Sequence, residues 1–171
     1  MAYVTLLVLV IGAMALVVVR TRSANEADTR AVSRLWIASQ GLKGSLVDQE
    51  TAVRGFALTG DERYLEPYRA GRARVDLLLS RLEDAFAGQP RRRSAVLTVH
   101  ERLERWRAAV ASRQIAAMRA GERDEAIEIE TSGVARERFD QVRDAFDDLT
   151  VQIDDDRRDR LDASTDRPPC R

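Results

Sequence analysis

Apolar residues recur along most of this chain with a helical period, and no stretch of useful length alternates with a strand's period of two. Val32, Leu35, Ser39, Leu42, Leu46, Gln49, Val53 and Phe56 keep a strict 3,4 spacing, the seam of a packed helix. They predict a first helix from about residue 20 to Leu58, with Gly60 as its stop because glycine takes the left-handed conformation at no steric cost. Tyr68, Gly71, Val75, Leu78, Leu82 and then Ala85 or Phe86 form a second seam, closed by Gly88, Gln89 and Pro90. Asp61 is a good cap for that helix. Pro67 lies six residues further on and would remove a hydrogen bond there, so either a short turn precedes a helix starting at Pro67 or the helix is kinked.

A third seam carries Val96, Val99, Leu103, Trp106 and Val110, then Gln114 and Met118 after a drift of one residue, over a helix from about Ser94 to Ala120 that Gly121 closes. The fourth begins near Asp124 and carries Phe139, Val142, Phe146, Leu149, Ile153 and Leu161, with Thr131, Ser132 and Gly133 positioned to bend or break its first part. Four amphipathic helices with short connections predict an all-α fold, an antiparallel four-helix bundle over residues 20–161.

The first nineteen residues follow another pattern. Met1 to Val19 is an almost unbroken apolar run, interrupted only by Tyr3 and Thr5, and it ends at Arg20. As a helix it rises roughly 28 Å, close to the hydrocarbon thickness of a bilayer. No basic residue precedes it and no small-x-small site ends it, so a transmembrane helix is expected rather than a cleaved signal peptide. Helices one and four rise roughly 60 Å each, the middle two less, which returns the chain to membrane level near Leu161, where a second span belongs. Residues 162–171 are instead polar and proline-broken, and are expected to be a disordered tail. A shortened gene and a single-pass protein both account for that.

Charge adds a conflict. Arg20, Arg22, Arg30 and Arg34 all follow the span, which by the positive-inside rule places the bundle in the cytoplasm, unless an upstream start supplies basic residues. Twenty-eight basic residues balance twenty-eight acidic ones, so no net field recruits nucleic acid. Lys43 is the only lysine, and Cys170 the only cysteine, so no intramolecular disulfide forms.

The stretch VDQETAVRGFALTGDERYLEPY, Val47 to Tyr68, resembles the signature of the CHASE-type extracellular sensory domains, third class, at the input end of bacterial histidine kinases, cyclases and related receptors. The matching positions are Asp48, Glu50, Thr51, Arg54, Gly55, Leu58, Thr59, Gly60, Tyr64, Leu65, Pro67 and Tyr68, with a weaker echo in GERDEAIEIETSGVARERFDQVR. The resemblance implies an all-helical sensor outside the cytoplasm, flanked by two spans and passing a signal to an output domain. The 171 residues contain no kinase histidine box, nucleotide loop or cyclase segment. By the residues alone, Glu50 and Arg54 have ion-pair spacing, Gly55 admits a close neighbour, Thr59 to Asp61 end one helix and start another, and Tyr64 and Tyr68 cover the distal end. Direct ligand contact by Arg54, Tyr64 or Tyr68 is the functional alternative.

Other candidates have plainer readings. His100, near Glu101 and Glu104, is a lone histidine among helix-surface charges, and a metal site wants several such ligands. Arg91, Arg92 and Arg93 fall in a loop facing the membrane, as a solvated turn or a contact with acidic headgroups. Asp154, Asp155 and Asp156 beside Arg157 and Arg158 lack the central glycine of a cation-binding loop and read as a charged helix face. No catalytic set converges, so no enzyme activity, metal or cofactor is expected.

Three functions remain: a single-pass extracytoplasmic sensor at the cell membrane, dimeric through helix one or four, with a small-molecule or protein ligand; a tethered bundle that binds another membrane receptor; and a cytoplasmic adaptor or scaffold.

Overall fold

The computed structural model describes Met14 and residues 35–165, the side chains of 156, 157 and 159–165 apart. The chain divides into two units, Met1–Trp36 and Ile37–Arg171. The expected transmembrane helix over 1–19, Val32 of the first seam and the last residues of the tail, 166–171, lie outside the described residues, Met14 being helical and exposed. Among the described residues no helix is long and apolar enough to cross a membrane, and there is no strand.

The second unit is all-helical. Helix α1 covers residues 35–59 and α2 covers Leu65–Ala85, after a short 3-10 turn at Glu62–Tyr64. Helix α3 (Pro90–Trp106) runs through a π-helical segment, Arg107–Ala111, into α4 (Ser112–Ala120). Helices α5 (Arg123–Thr131) and α6 (Val134–Thr165) complete it. The expected fourth helix is therefore two, giving five helices where four were expected, with α3 and α4 counted as one rod. Gly133, at φ +83°, provides the break in a conformation that a side chain would strain. Helix α6 continues to Thr165, past the boundary expected at 161.

The seams bury as their spacing dictates. Leu42, Val53 and Phe56 of α1, Val75 and Leu82 of α2, Val99, Leu103 and Trp106 of α3, and Phe139, Val142 and Leu149 of α6 are all nearly inaccessible. Trp106 meets the Phe139 ring edge-on at 5.2 Å, and Arg102 donates to Gln141 at 3.2 Å, so α3 and α6 run antiparallel. Helices α1 and α2 are antiparallel as well, with Gly41 beside Leu78 and Gly71 beside Ser45 and Gln49. On α2 it is Leu79 that is buried, whereas Leu78 is half-buried.

At Pro67 the short turn expected before the helix is present, with the helix starting two residues earlier than expected, and the loop expected at Arg91 to Arg93 is corrected. Helix α2 starts at Leu65, so Pro67 falls in its first turn, where its missing N–H removes no helical hydrogen bond. Helix α3 starts at Pro90, a favoured first residue, which places Arg91 to Arg93 in its first turn rather than in a loop. There Arg92 bonds Gln89 and lies over the Phe86 ring, and Arg93 pairs with Glu83 at 2.9 Å.

Candidate functional site at the helix tips

At one end of the unit the turn between α1 and α2 meets the turn between α4 and α5. Helix α1 stops at Gly60, φ +74°, whose N–H donates to the Phe56 carbonyl at 2.8 Å. Thr59 donates its hydroxyl to the Gly55 carbonyl at 2.7 Å and accepts the Asp61 N–H at 3.2 Å. Asp61 then caps the 3-10 turn by accepting the Arg63 N–H at 3.0 Å. The Arg63 guanidinium holds the Asp61 carboxyl below the usual carboxylate range.

That turn lays the Tyr64 ring across Gly55. A Cβ at position 55 would lie 2.5 Å from Tyr64 Cδ1, so this crossing requires glycine. Tyr64 remains 47% exposed, as does Leu58 at 49%, and they are the large hydrophobic residues open to solvent at this end. Tyr68, one turn further, is buried.

Ionic bonds join the two tips. Glu62 accepts from Arg119 of α4 at 2.7 Å and from Arg69 of α2 at 2.7 Å. The Arg119 guanidinium, helped by Arg69, pushes the Glu62 carboxyl down to about 2. Arg123 donates to the Leu58 carbonyl at 2.6 Å, satisfying one of the carbonyls left open at the end of α1. Behind the tip, Arg54 pairs with Glu50 at 2.8 Å, as their spacing predicts, and also with Glu130 of α5 at 2.6 Å. The Glu130 hydrogen bond raises the Arg54 pKa further. Glu130 also accepts from buried Gln114 at 3.1 Å. Both groups facing the Gln114 nitrogen, Glu130 and the Ala126 carbonyl, are acceptors, which fixes the amide's orientation. Its oxygen then has no donor among the described residues.

Deeper in the unit is a polar knot that sequence reasoning missed. Arg107 opens the π segment with its side chain 3% exposed, and donates to Gln49 at 3.0 and 3.2 Å, Asp76 at 2.8 Å and Glu104 at 2.6 Å. Gln49 in turn donates to the Ser45 carbonyl at 3.2 Å. Gly71 makes room for this, since a Cβ there would lie 3.1 Å from Gln49 Cγ. The signals were present in Gln49 within an apolar seam and in the one-residue drift after Val110, which is the extra residue of the π turn.

Of the signature positions, the structure brings Gly55, Thr59, Gly60 and Tyr64 into one cluster and ties Glu50 and Arg54 to α5. Pro67 shapes the start of α2 and Tyr68 underlies the tip. Asp48 and Thr51 lie on the exposed face of α1, away from the tip. His100 is exposed, while Glu101 pairs with Arg105 and Glu104 with Arg107. Among the described residues no group of three or more histidine, cysteine or acidic side chains is placed to hold a metal.

No curated protein and no solved structure matches the chain. The family model of the CHASE3 domain matches residues 26–163, most of its length and nearly all of the helical unit, so the chain belongs to the CHASE3 domain family.

Proposed function

We propose that this CHASE3 domain is the signal-input module of a membrane-anchored receptor system. Its antiparallel bundle, in which α5 and α6 together make the fourth rod, stands outside the cytoplasm, anchored by the apolar run of residues 1–19. The observation that carries the reading is the family match over residues 26–163, following an apolar run of spanning length. In this reading a small molecule or protein engages the tip, where Tyr64 and Leu58 are half exposed and the helix ends are held together by exposed ion pairs of Glu62 with Arg69 and Arg119 and by the Arg123–Leu58 hydrogen bond. Such bonds are individually weak, so a modest ligand affinity is enough to rearrange them. The output belongs to another protein segment or to a partner chain. The basic residues after the span argue the other way, and topology is the property to measure.

Cys170 provides the measurement. Intact cells, with any outer barrier opened, are treated with a membrane-impermeant maleimide alongside lysed controls. Labelling before lysis is the expected result. Labelling only after lysis places the bundle in the cytoplasm and refutes the proposal.

A further inference from the structure

Behind the tip, α1, α4 and α5 bring acceptors together without enough donors. Gln114 of α4 is 1% exposed and gives its amide nitrogen to Glu130 Oε2 at 3.1 Å and to the Ala126 carbonyl at 3.4 Å. Its Oε1 is buried and has no donor among the described residues. Buried acceptors in folded proteins are nearly always satisfied, by protein, water or a bound group.

Covalent geometry limits where that donor can stand. Amide oxygen and nitrogen share one carbon, which separates them by about 2.3 Å. Gln114 Oε1 therefore lies within about 5.4 Å of Glu130 Oε2. A donor atom about 2.8 Å from each oxygen spans that distance. One group carrying two N–H bonds reaches both.

The same place is short of positive charge. Glu50 and Glu130, with side chains 13% and 16% exposed, share a single guanidinium, Arg54, at 2.8 and 2.6 Å. Among the described residues no second cation pairs with either carboxylate, so one negative charge is in excess. The neighbouring cations are committed elsewhere, Arg113 to Glu125 and Arg123 to the Leu58 carbonyl. A charge drawn out of water without a counter-charge is costly. A cation that also donates N–H bonds meets both deficits at once.

The acceptors select its kind. Among the described residues no group of three or more histidine, cysteine or acidic side chains is placed to hold a metal. An ammonium instead presents three donors, and Gln114 Oε1, Glu130 and Glu50 supply three acceptors. Access runs past Arg54, whose side chain is 47% exposed. Its bonds to the two carboxylates are of the weak, partly solvated kind, and its guanidinium can swing aside and pair again beside the ligand.

The geometry points to a binding site for a small primary ammonium compound between α1, α4 and α5, with Gln114 Oε1, Glu130 and Glu50 accepting its N–H bonds and Arg54 retained beside it. The site gives a chemistry to the ligand of the sensor reading, and rests on that reading for its role.

The test uses the full chain in detergent with ethylammonium chloride as probe, followed by saturation-transfer proton NMR over a concentration series. Tetramethylammonium chloride has the same charge and no N–H donor, and sodium chloride keeps the ionic strength constant. Saturable transfer to ethylammonium with none to tetramethylammonium is the expected result. Equal transfer to both, or none to ethylammonium, as when water alone fills the site, overturns the proposal. Glu130→Gln, Glu50→Gln and Gln114→Met are each expected to weaken ethylammonium binding about tenfold. Asp147→Asn, which alters an exposed carboxylate of α6, leaves it unchanged. Arg54→Gln removes the competing cation and is expected to tighten binding about three- to tenfold. Binding unaffected by Gln114→Met, or abolished by Arg54→Gln, overturns the assignment. Circular dichroism confirms that each variant is folded. Maleimide labelling at Cys170 separates the two readings: labelling from outside without ethylammonium binding removes the site and leaves the sensor placement, and binding with labelling only after lysis does the reverse.

Discussion

Replacing Arg107 with methionine keeps most of its volume and removes its charge and every hydrogen bond it donates. Gln49 is the partner that suffers, because it is fully buried and its Oε1 accepts both bonds from Arg107. An orphaned buried acceptor costs about 1–3 kcal/mol. Asp76 and Glu104 are nearly half exposed, water replaces the cation at each, and their loss adds about 0–1 kcal/mol. Against this, a buried cation no longer has to be desolvated. The net expectation is a loss of about 1–2 kcal/mol. Gln49→Leu alone leaves the Arg107 Nε and Nη2 without their amide and costs a similar amount. Together, Arg107→Met and Gln49→Leu leave no orphan, so the double variant is expected to be more stable than the sum of the singles by about 1–3 kcal/mol. Urea unfolding of the full chain in detergent, followed by far-ultraviolet circular dichroism, measures each value. Additivity within about 0.5 kcal/mol, or a stabilising Arg107→Met, would show that Arg107 and Gln49 are not the coupled pair described.

Gly55→Ala gains helix propensity but displaces the Tyr64 ring, so it is expected to be nearly neutral alone and to stabilise by about 1 kcal/mol in a Tyr64→Ala background; equal effects in both backgrounds refute the crossing. Glu62 has its folded pKa depressed from 4.5 to about 2, so its contribution is present above pH 4.5 and is lost as pH falls through about 2. Amide protection factors in the tip, taken relative to the intrinsic exchange rate at each pH, are therefore expected to fall more than those in α3 as pH drops across that interval, and an Arg119→Gln variant to show a smaller change. Gly133→Ala forces a side chain into the left-handed region and is expected to cost about 1 kcal/mol, read by thermal melting; a neutral result would mean that the α5–α6 break relaxes into one helix. Leu103→Ala empties a fully buried position and is expected to cost about 2–5 kcal/mol in the same melts.

Much of the fold was legible because the seams are long and their period is unambiguous. Nearly every seam residue expected inside is inside, and Gly60, Gly121 and Gly133 end helices where their conformational freedom is used. What escaped depended on three-dimensional proximity. Arg107 stands beside a seam residue and looks like surface charge until a π turn rotates it inward. Glu130 reaches Arg54 across 76 positions of sequence, and no spacing rule connects them. Pro67 was ambiguous because a 3-10 turn and a kinked helix both accommodate Asp61 six residues earlier. At the site, the motif residues were found but their work is largely architectural: Gly55 admits Tyr64, and Thr59 and Asp61 shape the turn that places it.

The π turn at Arg107–Ala111 also governs which genetic changes this rod can absorb. Its surplus residue lets Trp106 and Gln114 face the same core although they are out of step on an ordinary helix. Removing Ala108 or Ala109 would restore uniform winding and leave residues 112–120 facing as they do now, because the π turn absorbs one residue, whereas inserting a further residue would swing them by about 100° and carry Gln114 and Ala117 out of the core. Exchanging Ala108 or Ala109 for another residue leaves the winding unchanged. Along this stretch the chain is forgiving about spelling and has room for one residue fewer, though not for one more.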